Sequence, residues 1–106
     1  MKKLTWSELV KRIQQHNEEN NVTRQYEDNN RLNCVVVFND IKSWNREYPL
    51  ESKSYRFGSD NKYFIPGMLG NSIFASSLDG TDPNIRLDHY IHEWTVDYCY
   101  IEGEAE

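Results

Sequence analysis

The chain has 106 residues, 38% of them hydrophobic, with 14 aromatics (three Trp, seven Tyr, four Phe) and a formal charge of −5, which is one domain's worth of chain with enough large side chains to bury a core. No apolar run approaches the roughly 20 residues of a membrane span; the longest is Cys34-Val35-Val36-Val37-Phe38. Residues 1–78 carry a net +2 and residues 79–106 a net −7, with Arg86 set against eight acids. A negative end of this kind repels phosphate backbones and argues against a nucleic-acid binder that works by counterion release.

Met1-Lys2-Lys3 leads straight into a helix start rather than an apolar run, so no secretory leader is expected and the chain reads as cytoplasmic. Thr5 is placed as N-cap, Glu8 closes a capping box, and Leu4 with Leu9 form a hydrophobic staple. Trp6, Leu9, Val10 and Ile13 then make one apolar stripe at helical spacing, which predicts a helix running to about Glu18. Val22–Tyr26 reads as a short strand, Asp28-Asn29-Asn30 as a turn, and Arg31–Phe38 as a strand buried on both faces, the two strands forming a hairpin. Leu50–Phe57 alternates, and Gly58-Ser59-Asp60-Asn61 turns it into a second hairpin with Lys62–Ile65. Asn71–Leu78 is the next strand, ended by Asp79-Gly80.

Asp82-Pro83 has the form of a second helix start, and Leu87, Tyr90, Ile91 and Trp94 fall at i, i+3, i+4 and i+7. Thr95–Ile101 alternates as a terminal strand, and Glu102–Glu106 reads as a frayed acidic tail. The expected fold is therefore a single α+β domain over residues 1–106. It has a largely antiparallel sheet of about five or six strands, packed by an N-terminal helix and a second helix near 83–93. Trp6, Leu9, Ile13, Val35, Val37, Tyr90, Ile91 and Trp94 are the expected core.

The candidate chemistry is sparse. Gly58, Gly67 and Gly80 mark strand boundaries and need no ligand to explain them. Gly67-Met68-Leu69-Gly70 has the spacing of a backbone-clamping loop but holds no basic residue, so Met68 and Leu69 read as a core plug or a partner anchor. No Gly-Lys-Ser/Thr follows to make a phosphate-binding loop. His89, His92 and Glu93 would share the polar face of the second helix and could hold a divalent metal, but the HExxH order is absent and a solvated face is expected. Cys34 and Cys99 read as half-buried thiols with nothing nearby to activate them. Trp44, Tyr48, Tyr55, Tyr63 and Phe64 interleave with Lys42, Arg46, Lys53, Arg56 and Lys62, a mixture that can stack single-stranded bases, though packing on strand faces is the simpler reading.

Three strings carry a resemblance: Tyr55-Arg56-Phe57-Gly58-Ser59-Asp60-Asn61-Lys62-Tyr63-Phe64; Met68-Leu69-Gly70-Asn71-Ser72-Ile73-Phe74-Ala75-Ser76-Ser77-Leu78-Asp79-Gly80-Thr81-Asp82; and Arg86-Leu87-Asp88 with Trp94-x-Val96-Asp97-Tyr98-Cys99-Tyr100. They look like a family of small uncharacterised proteins, similar to accessory proteins carried by conjugative elements and phages of Gram-positive bacteria. The resemblance implies no catalytic residue. It implies a genetic context in which small inhibitors of host defence are common, anti-CRISPR and anti-restriction proteins among them.

The expected function is thus non-enzymatic binding of a protein partner with a basic surface, with no cofactor, no metal and no membrane. The expected contacts are Asp88, Glu93, Asp97 and the Met68–Leu69 loop. The competing reading is a small-ligand or metal-binding protein built on the turns of 58–82 and on His89 and His92.

Overall fold

The computed structural model describes residues 1–22, 30–39, 50–59, 63 and 72–105. One helix, α1 (Trp6–Glu19), precedes five strands: β1 (Cys34–Phe38), β2 (Ser54–Phe57), β3 (Phe74–Ser77), β4 (Ile85–Arg86) and β5 (Val96–Ile101). All pair antiparallel in one sheet of order β4-β3-β2-β1-β5. The expected α+β class with a largely antiparallel sheet is what forms.

The start of α1 follows from its sequence. Thr5 Oγ1 accepts the Glu8 N–H at 3.1 Å, and Glu8 Oε1 accepts the Thr5 N–H at 2.8 Å, so two of the unpaired N-terminal donors are satisfied reciprocally. Leu4 and Leu9 are buried as the staple requires, and Trp6, Leu9, Val10 and Ile13 all face the core. Leu4 also pairs with Cys99 through two 2.8 Å backbone bonds, which pins the residue before the helix to the outer edge of β5.

The Val-rich β1 is flanked by β2 and β5, and Val35 and Val36 are buried on opposite faces, as a β-branched run in a central strand should be. The main core lies on the α1 side of the sheet. It takes Cys34, Val36 and Phe38 from β1, Tyr55 and Phe57 from β2, Ala75 from β3, and Val96, Cys99 and Ile101 from β5. Phe57 meets both Trp6 (6.5 Å between ring centroids) and Tyr63 (5.1 Å, edge to face).

Several expectations are corrected. The neighbours of β1 are β2 and β5; the strand expected at Val22–Tyr26 lies, from residue 23 on, outside the described residues. The second neighbour of β2 is β3, and Tyr63 bridges Ile73 instead of returning along β2. There is no second helix near 83–93. Ile85 and Arg86 pair with Ala75 and Phe74 as β4, and the Leu87 N–H bonds to the Ile73 carbonyl at 2.7 Å. Two successive turns follow, with Tyr90 N–H on Leu87 O (2.8 Å) and Thr95 N–H on His92 O (3.0 Å). Asp82, expected as the cap, instead accepts the Tyr55 hydroxyl and the Glu51 N–H.

The local reason is composition. Pro83-Asn84-Ile85-Arg86-Leu87-Asp88-His89-Tyr90-Ile91-His92 draws mostly on poor helix formers, so pairing with β3 overrides the apolar spacing. Leu87 and Ile91 still reach the core, Tyr90 and Val37 are half-buried, and Trp94 points out at 64% exposure.

Candidate functional site

The segment that replaces the expected helix carries the most unusual surface of the protein. Trp94 is the most exposed of the large hydrophobic residues described, and it sits on a turn that is firmly held. Thr95 is fully buried; its hydroxyl accepts the His92 N–H at 2.9 Å and shares its own proton between the Tyr90 and His92 carbonyls, each at 2.9 Å. Asn39, just past β1, grips the same turn from the other side. Its N–H reaches Thr95 O at 3.0 Å, and its side-chain amide donates to Trp94 O at 2.7 Å. The His92 ring lies parallel to the Trp94 indole, 4° between planes and 5.7 Å between centroids.

Of the five residues expected to contact a partner, three can be placed. Asp88 is embedded in the fold: its carboxylate takes the Arg86 guanidinium at 2.9 Å and the Ile73 N–H at 3.2 Å. Partial burial pushes that carboxyl up, but Arg86 and the Ile73 N–H outweigh it and hold it below its ordinary value. Glu93 is exposed, yet its Oε1 caps α1 by accepting the Ser7 N–H at 2.7 Å together with the Ser7 hydroxyl. Asp97 is exposed and is the extra residue of a β-bulge, because Val37 pairs with Tyr98 while Phe38 pairs with Val96. Met68 and Leu69 lie outside the described residues, as do Lys42, Trp44, Arg46, Tyr48, Lys62 and Phe64 of the basic-aromatic set.

The structure also separates the acids that the sequence groups together. Asp79, Asp82 and Asp88 belong to the β3–β4 side of the sheet, whereas Glu93, Asp97, Glu102 and Glu104 belong to the β5 side. The tail is tied down at two points. Glu102 receives Arg56 at 2.5 Å, and Glu104 receives Arg12 through its two terminal guanidinium nitrogens. A small polar cavity of about 160 Å³ is lined by Arg12, Gln15, His16, Glu19 and Leu32 and contains none of the expected contacts.

Without the second helix, His89 and His92 lose the helical spacing that would have put them together, and His92 stacks on Trp94 instead. Among the described residues, no group of three His, Cys, Asp or Glu is gathered closely enough to hold a metal. Cys34 and Cys99 lie on one face of the sheet as diagonal neighbours, since Cys34 pairs with Ile101 and Cys99 with Val36; both are buried free thiols. Burial pushes both thiols up, Cys99 to about 12, which leaves neither as a thiolate nucleophile near neutral pH.

Sequence reasoning missed Trp94 and Thr95 as site residues. In the sequence Trp94 reads as core because it completes the i+7 step of an apparent helical stripe. The one contrary signal is its setting: Trp94 lies between Glu93 and Thr95, with Asp97 three residues on and no Lys or Arg anywhere after Arg86. Among the described residues no helix is long and apolar enough to cross a membrane. No family model, no curated protein and no solved structure matches the chain.

Proposed function

We propose that this chain is a non-enzymatic accessory protein that binds another protein through a basic surface on that partner. The observation that carries the reading is the exposed Trp94, held on a turn locked by Thr95 and Asn39 and flanked by Glu93 and Asp97. An exposed tryptophan on a rigid turn loses little conformational freedom on binding, and this is the residue type that most often dominates protein interfaces. Glu93 and Asp97, both exposed on the β5 side, add attraction for a basic surface. The resemblance of the three strings in 55–100 adds the class of partner: a host defence nuclease, whose nucleic-acid groove is basic by necessity, with this chain as its inhibitor.

The test is affinity capture from a host lysate by the full chain, read by mass spectrometry at two salt concentrations. Raising salt from about 0.1 M to about 1 M shortens the screening length from ~10 Å to ~3 Å. A specific partner should be retained at the lower salt, released at the higher, and lost to Asp97→Lys. Asp97 is the informative reversal, because Asp88 and Glu93 hold Arg86, Ile73 and Ser7 within the fold. Retention that ignores both salt and Asp97→Lys would refute the reading, as would a gel shift with DNA or RNA at about 0.15 M salt.

A further inference from the structure

We infer that the Trp94 indole is a docking plate for an arginine side chain of the partner. This rests on the protein-binding reading above and gives it a chemistry. Trp is the best aromatic acceptor for a cation, and a guanidinium is flat, weakly hydrated and able to stack on an indole while its edge reaches carboxylates. Trp94 offers the plate at 64% exposure, with the His92 ring lying parallel to it. Glu93 and Asp97, both exposed, stand one and three residues away, with Glu93 Oε1 already engaged by Ser7. Two cations of this chain already lie over aromatic rings, Lys3 over Tyr98 at 4.4 Å and Arg31 over Tyr63 at 5.6 Å.

Other occupants fit less well. A nucleic-acid base could stack on the indole, but its phosphates would meet Glu93 and Asp97. A second copy of this chain would have to present an arginine, and among the described residues Arg12, Arg56 and Arg86 are already held by Glu104, Glu102 and Asp88, while Arg31 is buried over Tyr63.

The test follows the three indole N–H signals of the full-length, ¹⁵N-labelled protein at about 0.1 M salt, with Trp94→Phe assigning the Trp94 signal. The probes are octa-arginine, octa-lysine and a thymidine octanucleotide. Octa-arginine should move the Trp94 signal saturably and bind about two- to fivefold more tightly than octa-lysine, whose ammonium groups stack less well, a difference no larger than one exposed cation–π contact. Trp94→Ala should erase that preference without lowering the melting temperature, and Trp94→Phe, which keeps a ring, should retain part of it. Equal binding of the two peptides with a motionless Trp94 signal overturns the arginine plate while leaving a basic partner in place. An undiminished preference in Trp94→Phe also overturns it. Binding of neither peptide overturns both readings, and a Trp94 shift with the oligonucleotide replaces the plate with a base-stacking surface.

Discussion

Thr95 is the residue on which the candidate site depends, and its replacement makes a prediction whose sign can be checked. Thr95→Val keeps the shape and removes the hydroxyl. The His92 N–H then loses its acceptor and the Tyr90 carbonyl its donor, while the His92 carbonyl keeps the N–H groups of Thr95 and Val96. An unsatisfied buried group costs about 1–3 kcal/mol. These bonds are part-buried, so the lower half of that range applies to each. The methyl that replaces the hydroxyl returns about 0.8 kcal/mol. The net loss is about 2 kcal/mol, or roughly 10 °C in melting temperature for a domain of this size.

Thr95→Ser is the control: it keeps the hydroxyl and deletes a methyl from a fully buried site, at about 1 kcal/mol. Thermal melts should therefore rank wild type above Ser and Ser above Val. The His92 amide should exchange with solvent fastest in the Val variant. If Val proves as stable as Ser, the turn is held by apolar packing, and the bracing of Trp94 by hydrogen bonds is wrong.

Leu9→Ala should cost about 3–5 kcal/mol in urea unfolding and Ile91→Ala nearer 2, because Leu9 is fully enclosed and Ile91 keeps 9% exposure; equal costs would contradict the packing described. Both thiols should be silent to a thiol reagent in the folded protein and react at two equivalents once it is unfolded; native labelling of either would refute their burial. Asp79 accepts the Thr81 hydroxyl and N–H, which hold its carboxyl down at about 2. Its folded value lies below the unfolded one of about 4, so its contribution to stability is complete above that pH and is lost as pH falls toward 2. Thr81→Val should raise the Asp79 midpoint toward the ordinary carboxylate range in an NMR titration, and an unmoved midpoint would exclude Thr81 as the cause. Glu104→Gln should cost less than about 1 kcal/mol, since the Arg12 pair is one-third exposed and screened by water; a larger loss would make the tail part of the core.

What was legible in the sequence is what local physics decides. The capping box of α1, the staple across it, the β-branched run of β1 and the alternation in β2 each specify their element within a few residues. Gly80 was legible as a turn residue and has a positive φ of 82°. Gly58 was legible only as punctuation. Its actual constraint is a long-range contact, since a Cβ there would lie 2.8 Å from the Asn33 Cα and 2.0 Å from Asn33 Oδ1, the atom that accepts the Ser59 N–H. Asp88 and Glu93 look like surface charges in the sequence because their partners, Ile73 and Ser7, are far away along the chain.

The lost helix and the exposed tryptophan are one consequence of the sheet order. β4 and β5 occupy opposite edges, so the nine residues 87–95 must carry the chain across the whole sheet. Four strand spacings of about 4.8 Å make ~19 Å. Nine residues wound as a helix, rising 1.5 Å each, advance only ~14 Å, and the helix expected from Asp82-Pro83 would also have consumed the residues that form β4. Two open turns cover the distance, with Leu87 and Ile91 still set into the core as the chain crosses. With no helical repeat over 83–93, nothing returns Trp94 to that face. The same spacing that made Trp94 look like a core residue then leaves it at the surface, at the point where Thr95 locks the chain before it enters β5. The order of strands is a property of pairings between distant segments, and no window of the sequence contains it.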